Sequence, residues 1–142
     1  EIGSGLVGSE MCIRDRYGVI DEIYSMCRGI SKHVENKQYS DLVDIVGITP
    51  IIAPKDIIEQ GLFKQEKKCD IKYGFASVSL WIDYDEYLKA DITDKQIMIV
   101  KNILASIKTI SRKAKIDYKQ FCEDIFQYCK LINLPIESNL KV

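Results

Sequence analysis

YGFASVSLWIDY, residues 73–84, decides the fold class by its alternation. Ala76, Val78, Leu80 and Ile82 fall on one side of an extended chain; Phe75, Ser77, Ser79, Trp81 and Asp83 fall on the other. The first side fits a core, and the second is mixed and partly polar. Upstream, IVGITPII (residues 45–52) is β-branched and apolar and reads as a buried strand. Pro50 cannot donate to a ladder, so this strand is expected at an edge or bulged at that point. Between the two, Lys55 to Gln60 reads as one or two helical turns stopped by Gly61. The charged stretch KQEKKCDIK (residues 64–72) reads as a solvated hairpin loop, which makes the sheet mainly antiparallel.

Helices flank these strands. From Tyr17 to about Asn36, Ile20, Ile23, Tyr24, Cys27, Ile30 and Val34 recur at three and four, the spacing of an amphipathic helix weakened by Gly29. Asp41 to Val46 reads as a helical turn entering the first strand. Thr93 with Gln96 makes a capping box, followed by the stripe Ile97, Val100, Ile103, Leu104, Ile107 and Ile110 to about Lys113. Asp117 with Gln120 is a second start signal. Phe121, Ile125, Tyr128 and Ile132 then mark a last stripe ending before Pro135. The expected fold is α+β: a small, mainly antiparallel sheet packed by an N-terminal helix and two long C-terminal helices.

Length and composition bound the function. The 142 residues hold 20 Lys+Arg, 21 Asp+Glu, one His and five Cys, for a formal charge of −1. That is one domain without the basic footprint of a nucleic-acid binder, and no run of about 18 apolar residues points to a membrane span. Residues 1–16 contain Gly3, Gly5 and Gly8 in a phosphate-loop-like spacing, but no strand precedes them. Leu6 to Arg16 instead back-translate to the read-2 adapter of transposase-based sequencing libraries. Residues 1–16 are therefore expected to be adapter-derived, as in a metagenomic fragment, and carry no fold information. Residues 17–136 then form a single α+β domain without its native N-terminus, and 137–142 a frayed tail. Cys27, Cys69, Cys122 and Cys129 lack metal-ligand spacing and read as reduced thiols of a cytoplasmic protein.

Few constellations carry chemistry. Asp83-Tyr84-Asp85-Glu86 could hold a divalent cation, or could cap backbone groups at a strand end. His33 has no sequence-level partner for acid–base work and reads as a surface histidine. Trp81 could belong to an interface or lie beneath a helix. Lys108, Arg112, Lys113, Lys115 and Lys119 form a modest basic run that reads as a solvated face. No catalytic residue, metal ligand or cofactor site is assigned.

The order of elements resembles a known family. A leading helix precedes Tyr39-x-x-Leu42, the strand Ile48-Thr49-Pro50-Ile51-Ile52 and a Lys/Glu connection. Ser79-Leu80-Trp81-Ile82-Asp83-Tyr84 then runs into Asp85-Glu86-Tyr87-Leu88, and a helix carrying Ile103-Leu104-Ala105-Ser106-Ile107 closes the block. This is similar to small bacterial immunity proteins of polymorphic toxin systems. The resemblance implies a non-enzymatic inhibitor without cofactor, binding a cognate toxin protein and neither nucleic acid nor membrane. It also implies an N-terminal strand before the first helix, where the adapter stands. Trp81, Asp83, Tyr84, Asp85 and Glu86 are the expected contact patch. The alternatives are a metal-dependent transferase using Asp83 and Asp85, or a structural or regulatory subunit. The toxin's identity and the oligomeric state are left open.

Overall fold

The computed structural model describes residues 5–8, 19–71 and 74–136. The first strand, β1 (Gly5–Gly8), is followed by α1 (Val19–Val34), β2 (Ile45–Ala53), α2 (Lys55–Lys68) and β3 (Phe75–Asp83). Then come α3 (Tyr84–Lys89), α4 (Ile92–Ala114) and α5 (Tyr118–Leu131). The three strands form one sheet in the order β1-β2-β3. β1 occupies the slot expected of an N-terminal strand, within the adapter-like stretch, while the tail 137–142 lies outside the described residues.

The α+β content is as expected, but the sheet is parallel, not antiparallel. Ile45 to Ala53 run alongside Phe75 to Asp83 in the same direction, and Gly5 to Gly8 alongside Ile45 to Ile48. The cause is α2. Instead of stopping at Gly61, it runs on to Lys68, 14 residues in all, through most of the expected hairpin loop. A helix of that length carries the chain back along the sheet, so β3 enters from the same end as β2. α2 buries only Ile58 and Gln65, so no apolar stripe announced it.

Pro50 sits in the central strand, yet its constraint is respected. The Ser79 N–H points away from β2, because Gln65 Oε1 accepts it; its neighbour Leu80 therefore faces β2. Pro50 pairs with Leu80, which leaves its nitrogen on the β1 side, and β1 has already ended opposite Ile48. On that side no strand pairs with Pro50 among the described residues, so the missing donor leaves no ladder bond broken there.

One core lies on a single face of the sheet. Ile48, Val78, Leu80 and Ile82 pack there with Ile23, Cys27 and Ile30 of α1, Val100, Ile103 and Ile107 of α4, and Ile125 and Cys129 of α5. The free edge of β3 is closed by side chains: Gln65 takes the Ser79 N–H, and the Ser106 hydroxyl donates to its carbonyl at 2.8 Å. Such closure removes a template for strand addition. α4 starts two residues before the expected capping box, with the Asp91 carboxylate accepting from Asp94 N at 2.8 Å. Asp117 caps α5 by accepting from Gln120 N at 3.2 Å, as the spacing predicts. Asp41 and Leu42 form bends rather than the expected helical turn.

Candidate functional site

β3 positions the expected patch. Trp81 and Asp83 project from the side opposite the core, while Tyr84, Asp85 and Glu86 open α3. Trp81 is half-buried where α2 crosses its ring. A Cβ at Gly61 would lie 2.3 Å from the indole Cζ2, so only glycine permits this approach. The indole N–H is buried without an acceptor among the described residues. Asp83 is committed to the backbone: its Oδ1 accepts from Asp85 N at 3.0 Å and Glu86 N at 3.4 Å, which caps α3. Tyr84 packs against the core, and Asp85 and Glu86 are exposed. No group of three metal-ligating side chains occurs among the described residues.

The face carrying Trp81 is half open. Ile45, Thr49 and Ile51 of β2 are partly exposed, Ser77 is exposed, and Phe75 is 39% exposed, against 1% for Leu80 on the core side. Phe75 lies across Gly47, where a Cβ would come within 2.7 Å of the ring Cζ. Parallel sheets are ordinarily covered on both faces, and among the described residues the core helices cover one face only of this one.

A second polar constellation was missed in the sequence. Asp124, 2% exposed, accepts from Tyr39 Oη at 2.5 Å and Gln120 Nε2 at 3.1 Å, with Lys37 Nζ at 3.4 Å. Burial alone would raise its carboxyl, but these hydrogen bonds and the Lys37 charge hold it below the ordinary value. Tyr39 is pushed up by its own burial and by the Asp124 carboxylate. A cleft of about 310 Å³ opens beside it, lined by the α1–β2 connection, Ile107 and Phe121. The available signal was an acid at position 124, three residues after Phe121 on an otherwise apolar stripe.

The remaining titratable groups offer little chemistry. His33 is half-buried with Nε2 unpartnered among the described residues, and its ring lies 5.5 Å from that of Tyr128. Burial pushes the Cys27 thiol up to about 12 and Cys129 to about 11, which keeps both protonated and poorly nucleophilic. Cys27, Cys69, Cys122 and Cys129 are all free. In the basic run, Arg112 pairs with Glu66 of α2, and Lys115 adopts a left-handed φ of 51° that ends α4. No helix among the described residues is long and apolar enough to cross a membrane.

No curated protein and no solved structure gives a significant match to this chain. The family profile described as Immunity protein 44 matches residues 6–130, which takes in β2, β3, all but one residue each of β1 and α5, the other helices and the half-open face. On that match, the chain belongs to the Immunity protein 44 family.

Proposed function

We propose that this protein is a bacterial cytoplasmic inhibitor that binds a cognate toxin stoichiometrically and neutralises it without catalysis. The observation that carries the reading is the family match across residues 6–130. The architecture is compatible with it: an inhibitor needs a rigid scaffold and a complementary surface rather than a reactive group. The free thiols of Cys27, Cys69, Cys122 and Cys129 suit a reducing compartment. The contact patch comprises Trp81, Asp83, Tyr84, Asp85 and Glu86, within which Asp85 and Glu86 are the residues free to meet a partner.

Co-expression with the toxin domain encoded immediately upstream of this gene tests the function. Growth is restored and the two proteins co-purify in a 1:1 complex. Toxicity undiminished by this protein, or a metabolic gene in that position, overturns the reading. Calorimetry with Mg²⁺ and Mn²⁺ separates it from a transferase using Asp83 and Asp85, because the inhibitor takes up neither ion at a specific site.

A further inference from the structure

The open face of the sheet is unusual in what it lacks. IVGITPIIA of β2 and FASVSLWID of β3 contain no cation, and their single carboxylate, Asp83, stands at the very end. A sheet face intended for water carries Lys or Glu at its outward positions. Here those positions are Ile45, Gly47, Thr49 and Ile51 on one strand, with Phe75, Ser77 and Trp81 on the other. The middle of the face is small and uncharged, flanked by Phe75 and by the half-buried indole. α2 covers only the outer margin, at Trp81.

Charge gathers at one end of this face. Asp56, Asp85 and Glu86 are exposed at the carboxyl-terminal ends of β2 and β3 and form no ion pair among the described residues. With Asp83 they outnumber Lys55 and Lys89 there. The chain as a whole carries only −1, so this is segregation rather than net acidity. The balancing cations sit in the last turns of the helices, at Lys67 and Lys68 of α2 and at Arg112 and Lys113 of α4.

We infer that the open face of β2 and β3 is the docking surface, and that its partner is a protein presenting an apolar centre with Lys and Arg along one side, facing the carboxylates at the carboxyl-terminal ends of β2 and β3. This rests on the toxin-binding function proposed above and specifies where and to what chemistry it applies. A nucleic-acid partner is disfavoured because phosphates would find no cation on either strand and meet carboxylates at one end. Addition of a strand to β3 is disfavoured because Gln65 and Ser106 already occupy that edge. An uncharged centre bordered by charge is the arrangement of a protein interface, in which the charged border steers encounter and the centre excludes water; here the charged border is the one end at Asp56, Asp85 and Glu86.

Ser77→Arg tests the inference, because Ser77 is exposed at mid-face and the substitution places a bulky cation where the partner's apolar centre must approach. The probe is the toxin domain encoded upstream, titrated by calorimetry against the full chain. Ser77→Arg weakens binding by about 100-fold, and Asp85→Lys with Glu86→Lys by about 10-fold, at unchanged melting temperature. Ser77→Ala, and Lys119→Glu on α5 outside the face, bind as the unaltered chain does. Binding within threefold for both face variants overturns the inference and leaves the toxin-binding function standing. A self-dimer of the free chain that Ser77→Arg dissolves also overturns it, since the occupant is then a second copy. A toxin domain that the unaltered chain fails to bind removes the function, and this inference with it.

Discussion

Asp124 stands on the buried stripe of α5, where Phe121 and Ile125 are hydrophobes, and it ties the α1–β2 connection to that helix. Tyr39 and Lys37 reach it from the connection, so one carboxylate fixes a segment that has no regular structure of its own. Its lowered pKa contributes stability that is present above the unfolded value near 4 and is lost as pH falls through the folded one. Tyr39 works in the opposite direction. Its folded value is raised, so its contribution is complete below about 10 and declines as pH rises beyond that. Asp124→Asn is expected to cost about 1–3 kcal/mol at neutral pH and to flatten the acid limb of the melting-temperature profile. Tyr39→Phe flattens the alkaline limb. An Asp124→Asn profile parallel to that of the unaltered protein would sink this account.

Element by element, legibility in the sequence followed burial. α4 and α5 carry long stripes facing one core, and their extents were readable to within a residue or two, as was β3 from its alternation. α2 was not, because it lies on the sheet margin with only two buried side chains and therefore lacks the periodic signal that burial imposes. Missing it reversed the direction of a strand. The patch was half legible: Asp83 could be read as a ligand or a cap, and only the backbone geometry of α3 distinguishes the two. The glycines misled because spacing cannot show what approaches them. Gly61, read as a helix stop, is the contact point for Trp81, and Gly29, read as a weak spot in α1, receives the Tyr128 hydroxyl 2.1 Å from where a Cβ would lie. On propensity alone Gly61→Ala would stabilise α2 by about 1 kcal/mol. Three indole atoms lie within 2.6 Å of the new Cβ, so the expected outcome is instead a net loss of about 1–3 kcal/mol, with a shift in tryptophan fluorescence. A more stable Gly61→Ala protein with unaltered fluorescence would show that α2 does not press on Trp81.

Across the whole molecule, α2 stands apart. The contiguous core joins α1, β2, β3, α4 and α5, whereas Ile58 of α2 is buried outside it. α2 is held by the Gly61–Trp81 contact, the Gln65 hydrogen bond to Ser79 and an exposed ion pair between Glu66 and Arg112. The last contributes little, since exposed pairs are worth about 0–1 kcal/mol. Regions with few buried apolar contacts open at lower free energy than the core that carries them. α2 is therefore expected to open before the rest, with amide exchange faster by about 100-fold than in α4, a difference of about 3 kcal/mol. Trp81 is the sole tryptophan and lies beneath α2, so its fluorescence reports that event directly. In denaturant the fluorescence transition should precede loss of the far-ultraviolet helix signal, which the core helices dominate. Coincident transitions, with α2 amides as protected as those of α4, would mean that the margin folds as one unit with the core. Early opening would also widen the face beside β3, because α2 is what limits access to Trp81.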